Sequence, residues 1–187
     1  MHLAALTMVW RDYWYLEKWV GYYGQQFGKE NLYVISHGED AKSDEICRGC
    51  NVISIIRDGL SKSFDHARWR MLSDFSAMLI RSYDAVIVAD CDELLMTVSG
   101  APLAETLPEF DGNAAAAVGF NLISGPNGCD GEAALLDSVD TCVYFAEYSK
   151  PCIVKGAVRF GSGGHGLVDD TFGLLPGFFV MHTHFSH

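Results

Sequence analysis

Residues 83–96, YDAVIVADCDELLM, carry an apolar run directly into a cluster of negative charge. Residues 85–89 are all apolar, and Asp90, Asp92 and Glu93 follow them with Cys91 in between. Short apolar runs of this kind are typical of buried strands. Charge at the end of such a strand is costly unless a partner offsets it. The nature of that partner therefore constrains both the fold and the function.

The first half of the chain alternates between strand patterns and helix patterns. Besides 85–89, apolar runs predict strands at 3–9, 31–36 and 51–56. Helical periodicity predicts helices over 13–27, after Asp12, and over 61–82. This alternation favours an α/β fold with a mainly parallel sheet flanked by helices. Ligands of such sheets bind outside the carboxyl ends of the strands, where the acidic cluster and the loop around Asp40 lie.

The second half is less regular, and its segments are assigned by composition as well as by pattern. We predict a strand at 114–124, an insertion or loop at 125–150, one or two short strands at 152–160, a Gly-rich loop at 161–170 and a final strand at 177–185. The 187 residues are 49% hydrophobic and 20% charged, which suits a single globular domain over 1–187.

The charge balance excludes some classes of partner. A net charge of -11 disfavours nucleic acid and anionic membrane surfaces, because both reward basic patches. The opening residues lack the basic start of a signal peptide, and the uncharged stretch after Asp111 contains Pro126 and several glycines. We therefore expect a cytoplasmic protein with no membrane span.

The chain has six cysteines, and without a secretory signal we expect no disulfides. CRGC at 47–50 has the spacing of half a zinc site, but the other cysteines are scattered singly. The alternative interpretation is a loop with two small residues.

Asp90 and Asp92 are spaced i and i+2, so in an extended backbone both carboxylates lie on the same side. Two such carboxylates repel each other unless they are protonated or bridged. A hard divalent cation, Mg²⁺ or Mn²⁺, is the simplest bridge, and it leaves positions open for substrate phosphates. The alternative is a solvated acidic turn.

Residues 83–96 resemble the hydrophobic strand and Asp-x-Asp-Glu segment of family 2-like glycosyltransferases of the GT-A fold. The N-terminal LTMVWRDYWYLEKWVGYYGQQFGKENLYVISHGED is similar to the opening of that family, and KPCIVKGAVRFGSGGHG and HTHF resemble later segments of one branch. Two features depart from the family: SHGED replaces the usual acidic-Gly-Ser-x-Asp loop, and Arg11-Asp12 replaces the usual Asn-Glu.

The resemblance implies roles for individual residues. Asp90 and Asp92 match the motif that holds the metal and contacts the nucleotide sugar. Asp40 matches a loop position that contacts base or ribose, and Arg68 matches a helix position that supports the nucleotide. His184 matches a late histidine that completes the coordination of Mn²⁺ or Mg²⁺.

The resemblance also implies the reaction, which is transfer of a sugar from a nucleotide-sugar donor to the hydroxyl of a glycan or other acceptor. An inverting enzyme needs a general base. The sequence offers Asp169, Asp170 and His165 for this role, and inverting or retaining chemistry stays open.

Two other functions fit parts of the pattern. Haloacid-dehalogenase-type phosphatases also have a strand ending in Asp-x-Asp, and Lys150 or Lys155 with Asp169-Asp170 would supply their later motifs. That motif usually opens the chain, whereas several elements precede it here. The short chain also suits a non-catalytic nucleotide-sugar-binding module. GSGGHG at 161–166 fits a dinucleotide-loop pattern, but no long helix follows it.

Overall fold

The computed structural model describes residues 1–57, 62–123 and 141–184. Its helices are α1 (Tyr13–Phe27), α2 (Ala41–Ile46), α3 (Lys62–Leu79) and α4 (Leu103–Thr106). Its strands are β1 (Leu3–Val9), β2 (Leu32–His37), β3 (Asn51–Ile55), β4 (Ala85–Val88), β5 (Glu93–Thr97), β6 (Ala114–Ile123), β7 (Thr141–Tyr144), β8 (Pro151–Val154) and β9 (Gly173–His182).

The strands form one mixed sheet in the order β3-β2-β1-β4-β8-β6-β9-β5, with β7 added beside β6. The prediction of an α/β fold is confirmed, but that of a mainly parallel sheet is wrong. The first four strands are parallel, whereas β8 runs antiparallel to both β4 and β6, and β5 runs antiparallel to β9. Only the four-residue α4 lies between β5 and β6, so no long crossover helix forces parallel pairing there.

Two apolar cores cover the two faces of the sheet. Successive residues of β1 alternate between them: Leu3 and Ala5 pack in one core, and Ala4 and Leu6 in the other. This alternation is the two-residue period of an extended chain. The helix α1 contributes side chains to the first core, and α3 contributes Trp69 and Leu72 to the second.

Several segments differ from the sequence prediction. The polar loop at 37–45 contains the start of α2, and Glu93–Thr97 forms an unpredicted strand. Of the insertion predicted at 125–150, residues 125–140 lie outside the described residues, as do residue 124 of the strand predicted at 114–124 and residue 185 of the last predicted strand. The stretch 152–160 forms a strand only in its first part, and the last strand begins at Gly173 rather than at 177.

The parallel half positions the site, because the carboxyl ends of β1, β2 and β4 meet at one edge of the sheet. None of the described helices is both long and apolar enough to cross a membrane.

Candidate functional site

An open cavity of about 530 Å³ lies at this edge of the sheet. Its walls come from the segments after β1, β2 and β4, from α3, and from later parts of the chain. The lining residues used below are Trp10, Asp12, Tyr15, His37, Arg57, Phe64, Arg68, Asp90, Asp92, Glu93, Tyr148, Lys150, His165, His182 and His184. The acidic cluster therefore faces a space that is large enough for a ligand.

Asp90 is held by two cationic side chains of the protein. One carboxylate oxygen accepts a hydrogen bond from Arg68, and the other lies 3.2 Å from the Lys150 ammonium. Lys150 also lies 2.8 Å from Glu93, whose other oxygen accepts the backbone N–H of Asp90 at 3.1 Å. The Lys150 and Glu93 side chains are only 3% and 1% exposed, so they form a buried ion pair.

Burial and charge act in opposite directions on these groups. Burial favours a higher pKa for Asp90, but Lys150 and Arg68 outweigh it and lower that pKa to about 2. Burial raises the pKa of Glu93, and the nearby Lys150 opposes that shift. The two carboxylates together raise the pKa of Lys150 against its own burial. Arg68 and Lys150 therefore offset the charge of Asp90 and Glu93 within the protein.

Asp92 has a different neighbourhood, made of imidazole rings. Its Oδ2 lies 3.3 Å from His182 Nε2 and 3.5 Å from His184 Nδ1. The other ring nitrogen of His182, Nδ1, lies 2.9 Å from Asn121 Oδ1. If Nδ1 donates to that amide oxygen, Nε2 is the nitrogen left facing Asp92.

Strand pairing brings the histidines to the acids. In the β5–β9 ladder Glu93 lies opposite His182, and the Thr183 N–H donates to the Asp92 carbonyl at 2.8 Å. Tyr148 stacks on the His182 ring with centroids 3.9 Å apart, and Tyr15 stacks on His184 at 5.7 Å. The two imidazoles are therefore held by packing as well as by the sheet.

The backbone between the two aspartates is not extended. It forms a turn, closed by a 3.0 Å hydrogen bond from the Glu93 N–H to the Asp90 carbonyl. The i, i+2 rule that places both carboxylates on one side therefore does not apply. Asp90 and Asp92 instead contact different partners, and the buried Cys91 lies between them.

Asp12 is a further acid that lines the cavity. It occupies the N-cap position of α1, but its side chain makes no capping hydrogen bond. Burial and the charge of Asp92 raise its pKa. Arg11, just before it, has φ of 59°, a left-handed conformation that costs about 1–2 kcal/mol in a non-glycine residue. This conformation occurs at the point where the chain enters the cavity wall.

Aromatic and cationic side chains form the other end of the cavity. The Arg57 guanidinium lies 4.0 Å from the centroid of the Trp10 ring, and the His37 and Phe64 rings stack with centroids 4.4 Å apart. Rings in such a wall offer flat surfaces on which a planar ligand can stack.

The other predicted site residues are distributed unevenly. His165 lines the cavity, and its Nδ1 lies 2.8 Å from the Glu147 carbonyl oxygen. Asp40 does not line it; it caps α2 through the Lys42 N–H at 3.1 Å and accepts from Tyr13 Oη at 2.8 Å.

Asp170 lies away from the cavity. Its partner at 3.0 Å is Asn113, the residue just before β6, at the opposite end of the sheet from the acidic cluster. The structure therefore brings together Arg68, Asp90, Asp92, His165 and His184, and leaves Asp40 and Asp170 outside the cavity.

Glycines explain how the loop with His165 reaches the cavity. Gly164 has φ of 69°, and a Cβ atom there would lie 2.3 Å from the Trp69 ring. A Cβ on Gly163 would lie 2.5 Å from the His165 ring. The glycines of this loop therefore permit close packing on α3.

Three residues in the cavity wall, Glu93, Lys150 and His182, have no role in the glycosyltransferase site predicted from the sequence. Glu93 had no assigned role, and Lys150 was noted only in the phosphatase alternative. The sequence does carry a signal for His182, because His182 and His184 are spaced i and i+2 at the end of a strand. Lys150 had none, since its carboxylate partners lie 57 and 60 positions away in the chain.

Within the described ranges, no group of three or more His, Cys, Asp and Glu side chains is arranged as a metal centre. Asp92 with its two imidazoles is the set of potential ligands closest to the predicted metal position.

Similarity to known proteins is found among solved structures. No family model matches the chain, and no curated protein matches it. Among solved structures, the apo form of the bifunctional glycosyltransferase WbbM is similar at a TM-score of 0.37 and 15% identity. The match covers 66% of this chain and 23% of the WbbM chain, so it spans about a quarter of that protein's length.

Proposed function

We propose that the chain is a metal-dependent glycosyltransferase of GT-A type that moves a sugar from a nucleoside-diphosphate sugar to an acceptor hydroxyl. One observation carries the proposal. Asp92 lies within 3.5 Å of two imidazole nitrogens in the wall of an open cavity that Arg68 also lines, at the carboxyl ends of parallel strands. This edge is where open α/β sheets bind their ligands.

The donor atoms at Asp92 suit a divalent cation. Two ligands of one ion at coordination distances of about 2.1 Å lie roughly 3 Å apart. Asp92 Oδ2 is 3.3 Å from one imidazole nitrogen and 3.5 Å from the other, so each nitrogen would lie near an ion bound to that oxygen. Asn121 holds His182 with Nε2 toward this point, as outer-shell partners of metal-binding histidines do.

We assign Asp92, His182 and His184 as the residues that would hold Mn²⁺ or Mg²⁺, with Mn²⁺ favoured by the imidazoles. When bound, such an ion stabilises the charge that develops on a leaving diphosphate. Asp90, whose two oxygens already contact Arg68 and Lys150, would act by orienting those cations rather than as a direct ligand.

The cationic side chains at the cavity would allow a chain with a net charge of -11 to bind an anionic donor. The Arg68 side chain is 20% exposed and lines the cavity beside Asp92. Its guanidinium would contact phosphate oxygens while Asp90 fixes its position. The nucleoside would occupy the end of the cavity lined by Trp10, His37 and Phe64, where rings and Arg57 offer stacking surfaces.

Of the three predicted bases, Asp169, Asp170 and His165, the histidine is the best placed. Its Nδ1 donates to the Glu147 carbonyl, which leaves Nε2 to accept a proton. It lines the cavity and Asp170 does not. For an inverting transfer, we propose that His165 accepts the proton of the acceptor hydroxyl.

Nucleotide binding tests the proposal directly. We expect UDP or GDP with Mn²⁺ to raise the melting temperature of the protein, and Asp92→Ala to remove that shift. Asp170→Ala is the matched control, because it deletes the same side chain outside the cavity and should keep the shift. Absence of stabilisation by any nucleoside diphosphate with metal would refute the proposal.

Activity assays separate the alternatives. Release of nucleoside diphosphate from a nucleotide sugar supports transfer or donor hydrolysis. Cleavage of a generic phosphoester that Asp90→Asn abolishes would instead favour the phosphatase. Nucleotide-sugar binding without turnover across a broad acceptor panel would favour a binding module.

A further inference from the structure

Cys47 and Cys50 lie outside the cavity, in the turn between α2 and β3. The turn is closed by a 2.8 Å hydrogen bond from the Cys50 N–H to the Cys47 carbonyl. A turn of this kind brings the first and fourth Cα atoms within about 7 Å, and disulfides span about 4.4–6.8 Å between Cα atoms. The backbone of this turn therefore suits a bond between the two sulfurs.

The two thiols are already in contact, and their surroundings differ. Cys47 is 1% exposed and packs in the apolar core, whereas Cys50 is half-buried at the surface. A hydrogen bond between the two sulfurs raises the pKa of Cys47 and lowers that of Cys50, and Lys29 adds to the lowering. Lys29 packs beside this turn, since a Cβ on Gly49 would make ordinary van der Waals contact with Lys29 Cβ at 3.6 Å.

We propose that Cys47 and Cys50 form a redox-active dithiol, with Cys50 as the attacking thiol and Cys47 as the resolving one. An accessible thiol of lowered pKa beside a second cysteine is the arrangement found in thiol–disulfide exchange sites. The proposal does not depend on the function of the cavity.

The oxidant is a small-molecule disulfide such as glutathione disulfide. The Cys50 thiolate attacks one sulfur of that disulfide, forms a mixed disulfide and releases one thiolate, which takes up a proton. Cys47 then loses its proton and attacks the Cys50 sulfur, which forms the 47–50 bond and releases the second thiol. The two cysteines are oxidised and one small disulfide is reduced to two thiols.

Peptide mapping of the full chain after incubation with glutathione disulfide tests the assignment. We expect the wild type to lose two free thiols and to contain a 47–50 disulfide. Cys47→Ser should stop at a stable glutathione adduct on Cys50, and Cys50→Ser should leave Cys47 unmodified. Cys47→Ala is a second variant, because a buried serine hydroxyl needs a hydrogen-bond partner.

Cys142 provides the internal control, since it is exposed and far from this turn in sequence. Cys142→Ser should form the 47–50 disulfide as the wild type does. The proposal is overturned if Cys142 is modified while Cys47 and Cys50 remain thiols. It is also overturned if both thiols are protected by bound zinc, which is the outcome expected of a half zinc site.

Discussion

Asp90 and Asp92 belong to one turn, yet the regions around them are built from different chemistry. The Asp90 region holds two carboxylates and two cations, including a Lys150–Glu93 pair that is almost fully buried. The Asp92 region holds two imidazoles, one of them oriented by an amide. Opposite charges satisfy the first region within the protein, whereas the second places two imidazole nitrogens within 3.5 Å of one carboxylate oxygen.

The difference indicates that the two aspartates have separate roles. Loss of one partner of a buried ion pair leaves a desolvated charge without an opposite charge. The Asp90 region is therefore a rigid part of the site. Imidazole nitrogens and a carboxylate oxygen at about metal-ligand spacing can accept an added cation. Under the proposed function, only Asp92 of the Asp-x-Asp motif would bind metal directly, because both oxygens of Asp90 contact Arg68 and Lys150.

The largest effect is expected at the Asp90 region. Lys150→Met removes the cation shared by Asp90 and Glu93 and leaves the buried Glu93 carboxylate near the partly buried Asp90 carboxylate. The free energy of unfolding should fall by about 3–5 kcal/mol, as measured by urea denaturation. Lys155→Met is the matched control, because Lys155 pairs at 3.8 Å with a Glu109 side chain that is 86% exposed. That change should cost below about 1 kcal/mol, and equal losses would remove the distinction between a buried and a surface pair.

The second prediction concerns Asp92. Asp92→Asn keeps the size of the side chain but removes its charge, so Mn²⁺ affinity measured by calorimetry or electron paramagnetic resonance should fall about 100-fold, or roughly 2.7 kcal/mol. Folding stability should change little, because no buried cation loses its partner. Asp169→Asn, at a surface residue paired with Arg159, should leave Mn²⁺ binding unchanged. An unchanged Mn²⁺ affinity in Asp92→Asn would place the metal elsewhere.

The smallest effect is expected at Asn121, which touches His182 rather than the proposed metal. Asn121→Ala frees the His182 ring to adopt the other tautomer, so Mn²⁺ affinity should fall about tenfold, or roughly 1.4 kcal/mol. Asn113→Ala is the control of the same residue type, since its partner Asp170 lies outside the cavity. If both variants bind Mn²⁺ equally well, Asn121 has no orienting role.

The regular elements of the first half follow closely from the sequence. The apolar run at 3–9 and the helical period over 13–27 match β1 and α1, because β1 is apolar on both faces and α1 along one. Hydrophobic periodicity does not predict α2, because its sequence AKSDEI has no apolar stripe. That short helix begins at the Asp40 cap and continues to the core residue Cys47, features that periodicity does not reveal.

The functional site is also only partly predictable from the sequence, because some of its contacts join residues that are distant in the chain. Asp92 and His184 could be proposed from local pattern and resemblance, and the cavity contains both. Glu93 is buried because it pairs with Lys150, which is distant in the chain. Its position at the start of a strand does not by itself predict a buried side chain. The mixed sheet also depends on pairings between distant segments that no local run of residues encodes.

The β5–β9 ladder has a consequence for how this protein tolerates sequence change. Its register sets Glu93 opposite His182, and side chains of a strand alternate between faces. Adding or deleting one residue within either strand would turn His182 to the other side of the sheet. Length changes in these two strands should therefore be as damaging as loss of the histidine itself, whereas insertions in the exposed loops leave this alignment intact.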